Sequence, residues 1–203
     1  MALSHLSHLQ CSGCGREYTH TEIHTFCPDC QSPLLSIYDL ERAHQHVDRD
    51  EISRRRRGMW RWSELLPVLN AENQIFLGEG DTPLLSLPHL EKELGLSHLY
   101  VKDESSNPTG SFKARGLAAA ISKARELGVE KVIIPTAGNA GGAMAAYAAR
   151  AGLKAHIFMP KDTPFANIEE SRMAGAEVVL VDGLINDAAG MAGIKAREEG
   201  WFD

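Results

Sequence analysis

Four cysteines lie within the first 30 residues, as Cys11-Ser-Gly-Cys14 and Cys27-Pro-Asp-Cys30, and the chain has no others. Two thiolates spaced by two residues can be aimed at one ion from a tight turn, and Gly13, Gly15 and Pro28 suit such turns. Paired units of this kind, in a chain without export features, fit a tetrahedral Zn(Cys)4 site better than two disulfides. Cys11, Cys14, Cys27 and Cys30 are therefore the candidate metal ligands. Four thiolates fill the shell and leave no place for water, so the zinc is expected to be structural. A segment of about 30 residues buries little core, and metal binding would supply the missing folding energy. The alternatives are a ribbon that has lost its metal or a redox pair. His20 and His24, between the two pairs, read as exposed loop residues.

A second candidate is a lysine. Residues 102–116 read Lys-Asp-Glu-Ser-Ser-Asn-Pro-Thr-Gly-Ser-Phe-Lys-Ala-Arg-Gly, and the Pro-Thr-Gly-Ser turn places Lys113 in the first turn of a helix. There the positive end of the helix dipole disfavours an ammonium and favours a free amine, able to act as a nucleophile or to form a Schiff base. The plain alternative is a solvated surface charge. Further on, Thr136-Ala137-Gly138 precedes an alanine-rich helix whose N-terminal N–H groups can receive an anion. The small residues of that helix read as a packing solution.

The elements that hold these residues follow from periodicity and punctuation. Leu99–Lys102 reads as a strand, Ser111–Leu127 as a helix, Lys131–Ile134 as a buried strand and Asn139–Ala151 as a helix closed by Gly152. Ala155–Met159 is a further strand. Thr163-Pro164 reads as an N-cap and first helical position, and the helix it opens stops near Gly175. Glu177–Val181 and Asn186–Glu199 complete the series. Strands alternating with helices imply parallel βαβ units and a three-layer, doubly wound α/β sheet. Residues 1–35 read as a zinc-ribbon-like segment, 36–75 as a charged, irregular connector and 76–203 as the main domain. The Arg54–Arg57 run reads as a solvated helix face, and Trp60, Trp62, Leu65, Leu66 and Val68 as the point where the connector docks.

Composition narrows the class. With 203 residues, 43% hydrophobic and 24% charged, the chain is globular. A net charge of −6 argues against a nucleic-acid binder, which needs a basic surface. No stretch approaches the roughly 18 apolar residues of a membrane span, and the opening residues lack a signal-peptide pattern, so no membrane partner and a cytoplasmic location are expected.

Three motifs add a family resemblance. Asn107-Pro-Thr-Gly-Ser-Phe-Lys113-Ala-Arg-Gly116 resembles the lysine motif of fold-type II pyridoxal-phosphate enzymes, with Gly78-Glu-Gly-Asp-Thr-Pro-Leu84 upstream and Thr136-Ala-Gly-Asn-Ala-Gly-Gly142 downstream. Together they resemble the threonine synthases in particular, from about residue 58 onward, some members of which also carry an N-terminal cysteine ribbon. The resemblance implies a tryptophan synthase β-like fold and pyridoxal 5′-phosphate as cofactor. Lys113 matches the lysine that binds the cofactor covalently and moves protons. Asn139 matches the asparagine that hydrogen-bonds the cofactor's phenolic oxygen. Thr136, Ala137, Gly138, Asn139 and Ala140 match the loop around the substrate. The implied reaction converts O-phospho-L-homoserine and water to L-threonine and phosphate by elimination and replacement, in an enzyme that is often a homodimer. The runner-up is another member of the fold, a threonine or serine dehydratase or a cysteate synthase; a non-catalytic zinc-ribbon binding module is the reading from another class. In this family the groups for the cofactor phosphate, the pyridine nitrogen and the substrate phosphate lie C-terminal of the lysine region. The chain therefore reads as an N-terminal portion, expected to be inactive alone and to end on a helix without a further strand.

Overall fold

The computed structural model describes residues 3–203. The N-terminal segment is an antiparallel sheet of β1 (Leu6–Cys11), β2 (Glu17–Tyr18) and β3 (Leu34–Tyr38), ordered β2-β1-β3. Its buried interior is thin: Leu6, Cys11 and Cys27 are its buried apolar residues. Such a sheet needs a staple, and the cysteines stand where one would be.

The connector is more ordered than its composition suggests. α1 (Leu40–His46) and α2 (Arg49–Arg54) are short, and each is opened by an aspartate: Asp39 accepts from the Arg42 N–H at 2.9 Å and Asp48 from the Glu51 N–H at 2.7 Å. The arginine run is not a solvated helix face. The α-helix stops at Arg54, Arg55 bridges Glu51 at 2.8 Å and Glu64 at 2.7 Å, and Arg56 lies 4.5 Å above the Phe76 ring. A 3-10 stretch, Met59–Leu65, then docks the connector. Trp60 packs on the core and donates its indole N–H to the Ile75 carbonyl at 3.0 Å, while Leu66 and Val68 turn inward. Trp62 and Leu65 do not join them and stay exposed.

β4 (Leu84–Ser86) and β5 (Tyr100–Lys102) form a separate antiparallel pair around α3 (Pro88–Leu94). The strand at 99–102 thus lies outside the parallel series in which it was expected. Its partner, three residues between Pro83 and Pro88, is too short to show a strand period.

The main domain runs through α4 (Lys113–Glu126), β6 (Lys131–Pro135), α5 (Asn139–Ala151), β7 (Lys154–Pro160), α6 (Phe165–Met173), β8 (Glu177–Val181) and α7 (Ile185–Glu199). The three strands are parallel in the order β6-β7-β8. Strand alternation divides the core. Ile133, Phe158 and Val181 face Ala188, Ala192 and Ala196, one stripe of α7 at every fourth residue. Ile157 and Met159 point the other way, onto Ala145 of α5 and Ile168 of α6. The result is a three-layer α/β arrangement. α6 begins at Phe165 with Pro164 as its cap residue and no side-chain cap, so Thr163 does not play the role expected of it. Its hydroxyl is buried without a partner among the described residues.

After α7 the chain returns to the free edge of β6. The Ile133 N–H donates to the Phe202 carbonyl at 2.8 Å, and the Phe202 N–H to the Lys131 carbonyl at 3.1 Å. No further strand follows α7 among the described residues, as expected, but this isolated parallel bridge between Val132 and Phe202 ties the segment to β6. It also fixes the winding: the chain adds β7 and β8 on one side of β6, crosses on α7, and comes back on the other side. In open α/β sheets ligands bind outside the carboxyl ends of the strands where the order reverses, and here that end is the one leading into Thr136.

Candidate active site

β6 ends at Pro135, and the next three residues turn the chain into α5. The Thr136 N–H donates to the Phe158 carbonyl at 2.9 Å, and the Thr136 hydroxyl accepts from the Gly138 N–H at 3.2 Å. Thr136 is buried, whereas Ala137 and Asn139 are exposed. Gly138 is the cap residue and contributes no side chain, so the backbone N–H groups of Asn139 and Ala140 meet no acceptor among the described residues. Two free donors at the start of a 13-residue helix suit a carboxylate. Asn139 is the first helical residue rather than the cap, and its Oδ1 accepts from Asn167 Nδ2 at 3.2 Å.

Lys113 is the first residue of α4. The turn before it is tight, with Thr109 at φ 60° and Gly110 at φ 64°, and the Ser111 hydroxyl accepts from the Lys113 N–H at 3.3 Å. This turn and α4 itself both pack on α5. Ala114 and Ala118 are fully buried at that side, and such small residues let the helices approach closely. The Lys113 side chain is exposed, and its Nζ lies 4.9 Å from the centre of the Phe112 ring with no ion pair among the described residues. An unpaired amine and an amide at the head of two packed helices fit what a pyridoxal cofactor needs on one of its edges.

What holds this arrangement is a polar network that sequence reasoning missed. Glu104 accepts from Arg115 Nε at 2.6 Å and Nη2 at 2.9 Å, from the Thr82 hydroxyl at 2.6 Å and from Asn107 Nδ2 at 2.8 Å. Asn107 Oδ1 in turn accepts from the Gly80 N–H at 3.1 Å. The 78–84 and 107–116 motifs are thereby tied together through the Glu104 carboxylate, whose partner Arg115 lies two residues past Lys113 on α4. The Arg115 guanidinium, helped by Thr82 and Asn107, holds the Glu104 carboxyl down at about 2, from 4.5. Because the folded-state value is the lower one, this contribution is fully present above pH 4.5 and is lost as pH falls toward 2. Glu104→Gln keeps the shape and removes the charge. The expected result is about 1.5–3 kcal/mol of lost stability near neutral pH, shrinking to little difference from the parent in strong acid, read by urea unfolding at both pH values.

A second tie runs from the same motif to α5. Glu79 is fully buried and accepts from the Tyr147 hydroxyl at 2.6 Å and from the Leu77 N–H at 3.0 Å. Burial, and then the Glu79 carboxylate, push the Tyr147 phenol well above its ordinary range. Gly80 sits at φ +103°, and a Cβ there would come within 2.5 Å of the Met59 nitrogen, so no side chain fits. Asp81 accepts from the Gly58 N–H at 2.6 Å. The motif's acidic and glycine residues thus join the connector, α4 and α5 rather than facing a ligand. A glutamate between two glycines and the one tyrosine in an alanine-rich helix were the available signals.

The four cysteine sulfurs lie within 4.8 Å of one another. Cys11 Sγ is 3.3 Å from Cys30 Sγ and Cys14 Sγ 3.7 Å from Cys27 Sγ. A tetrahedral zinc with bonds of about 2.3 Å would place its sulfurs about 3.8 Å apart. The N–H groups of Gly13 and Cys14 both point at Cys11 Sγ from 3.4 Å, the knuckle geometry that stabilises a thiolate. A hydrogen bond from the Tyr18 hydroxyl at 3.1 Å leads the effects that lower the Cys27 thiol to about 6. All-sulfur donors, close to tetrahedral spacing, fit a structural zinc. The two histidines nearby are not free loop residues. His20 is half-buried, and desolvation followed by the Lys123 charge lowers its pKa; the His24 ring packs 5.3 Å from Tyr18.

Among the described residues no helix is long and apolar enough to cross a membrane. Comparison with known proteins agrees with this geometry. The family model described as pyridoxal-phosphate dependent enzyme matches residues 75–203. Threonine synthase from Methanocaldococcus jannaschii is 39% identical over 191 residues, 94% of this chain and 47% of that protein. Threonine synthase from Methanosarcina acetivorans is 33% identical over 193 residues, 95% of this chain and 47% of that protein. The chain thus spans about half the length of these curated relatives. Among solved structures, holo diaminopropionate ammonia lyase from Escherichia coli superimposes with a TM-score of 0.58 at 26% identity, covering 63% of this chain and 38% of that one. A pyridoxal 5′-phosphate-dependent aspartate racemase gives a TM-score of 0.56 at 32% identity, with 59% of this chain and 38% of that one covered. With a match across well over half of its length, and with an unpaired lysine and an asparagine heading two packed helices at the switch point of the sheet, this chain belongs to the pyridoxal-phosphate-dependent enzyme family.

Proposed function

We propose that the chain is the lysine-bearing portion of a threonine synthase, a lyase that converts O-phospho-L-homoserine and water to L-threonine and phosphate. The observation that carries this reading is the likeness to proteins of that name along nearly the whole chain, cysteine segment included. Bound pyridoxal phosphate supplies the electron sink that makes the α and β protons of an amino acid acidic. Lys113 is the residue we assign to hold the cofactor through its amine and, once the substrate has released it, to take and return protons at adjacent carbons. A single flexible amine at a helix start, with no ion-pair partner among the described residues, suits several transfers at neighbouring atoms. The Asn139 amide is assigned to the cofactor's phenolic oxygen. In the turn from Ala137 to Ala140, with Gly138 leaving the approach open, the N–H groups of Asn139 and Ala140, which meet no acceptor among the described residues, are assigned to the substrate α-carboxylate, and Thr136 lines the same turn. Cys11, Cys14, Cys27 and Cys30 are assigned to one structural zinc. A soluble cytoplasmic homodimer completes the reading.

The test is a steady-state comparison with the intact gene product. Phosphate and threonine should form from O-phosphohomoserine, with little deamination of threonine. Conversion of threonine to 2-oxobutanoate faster than consumption of O-phosphohomoserine would replace this reading with a dehydratase.

A further inference from the structure

Two asparagines meet at the carboxyl end of the sheet, and only one of them has a role so far. Asn139 heads α5, which follows β6, and Asn167 is the third residue of α6, which follows β7. Asn167 Nδ2 donates to Asn139 Oδ1 at 3.2 Å, and the same nitrogen lies 3.9 Å from where a Cβ on Gly138 would stand. Asn167 is itself held by its own helix: its N–H donates to the Pro164 carbonyl at 2.9 Å and its carbonyl accepts from the Ser171 hydroxyl at 2.9 Å. Ser171 is fully buried, so this anchor is on the rigid side of α6.

A primary amide has two ends, and which end faces a ligand decides whether it donates or accepts. With its oxygen engaged by Asn167, Asn139 keeps its Nδ2 free, since that atom meets no acceptor among the described residues. A free N–H pair is what an anionic oxygen requires; the amide turned over would present its carbonyl and repel it. We propose that Asn167 is a positioning residue that fixes the Asn139 side chain with its donor end toward the cofactor's phenolic oxygen. The inference rests on the assignment of Asn139 above and extends it to a residue outside all three motifs. It also implies that α6 has to stay docked on α5 for the amide to keep its orientation.

Two substitutions separate orientation from bulk. Asn167→Ala removes the donor and leaves the Asn139 amide to rotate, which should weaken pyridoxal phosphate about three- to tenfold, the loss of one hydrogen bond's worth of ordering. Asn167→Asp can only accept, so Asn139 must turn its Nδ2 toward α6 and its carbonyl toward the cofactor. That variant should lose on the order of tenfold or more in affinity and shift the visible absorption band of the bound cofactor. The readouts are the cofactor dissociation constant by equilibrium dialysis and the absorption spectrum of the intact gene product, with Asn139→Ala as reference. Wild-type affinity and spectrum in both Asn167 variants, beside a weakened Asn139→Ala, would overturn the positioning role. Wild-type behaviour of Asn139→Ala itself would instead overturn the assignment of Asn139, and with it this inference. Because Asn167 is partly exposed, the apo forms should melt within about 2 °C of the parent, and a much lower melting temperature in both variants would show a structural role in place of the proposed one.

Discussion

Replacing Lys113 by alanine is expected to reduce turnover of O-phosphohomoserine by the intact gene product at least about a thousandfold, since both the covalent anchor and the proton carrier go with one amine. The fold should be untouched. Lys113 is exposed, opens a helix rather than sitting within it, and pairs with no carboxylate among the described residues; alanine is a good helix former in its place. The core side of α4, made by Ala114, Ala118, Ile121 and Ala124, stays as it was. Thermal midpoints of the two proteins should therefore agree while phosphate release collapses, and cofactor should still bind weakly without covalent attachment. A variant that kept more than a tenth of the parent rate would mean that some other group does this work.

One zinc per chain is expected by elemental analysis, and its removal should cost the N-terminal segment its structure. Without the ion, four sulfurs packed within 4.8 Å of one another have nothing to hold them together except a thin sheet. Cys27 is fully buried and Cys11 nearly so, which leaves the reduced apo ribbon with buried thiols and little other apolar burial. A strong chelator, or Cys27→Ser, should open the loop between Cys11 and Pro33 to protease at once. The main domain, with its own three clusters of buried residues, should persist. Protein purified under reducing conditions with no metal and two disulfides would contradict the site, as would a ribbon equally protected with and without chelator.

Much of the main domain could be read from the chain because each layer repeats one simple signal. A short run rich in apolar residues, such as Lys131–Pro135 or Glu177–Val181, then a glycine-closed helix, gives a strand and a crossover wherever it occurs. The cysteine pairs stood out for a different reason, a spacing with few other uses, and the structure brings their sulfurs within 4.8 Å of one another; Lys113 stood out through the motif it shares with a known family. The network under the site was not legible in this way. Glu104, Arg115, Thr82 and Asn107 come from separated stretches, and nothing in a sequence period says that a carboxylate will meet a guanidinium 11 residues away, on the next helix. The hairpin of β4 and β5 escaped notice because strands of three residues carry no alternation, and antiparallel pairing across an intervening helix is a tertiary choice. Trp62 shows the opposite failure. It sits in an aromatic cluster that looks like core, yet the 3-10 turn carries Trp60 inward and leaves Trp62 at 52% exposure.

The most direct measurement is chemical: reduce the holo form of the intact gene product with borohydride, digest it, and locate the pyridoxyl group by mass spectrometry. Lys113 should carry it, in the peptide that follows Asn107-Pro-Thr-Gly-Ser-Phe. Lys102, whose amine is already committed to the Thr82 carbonyl at 2.6 Å, and Lys123, paired with Glu126 at 2.8 Å, should carry none. A pyridoxyl group on either of those lysines, with Lys113 unmodified, would contradict the assignment of the site.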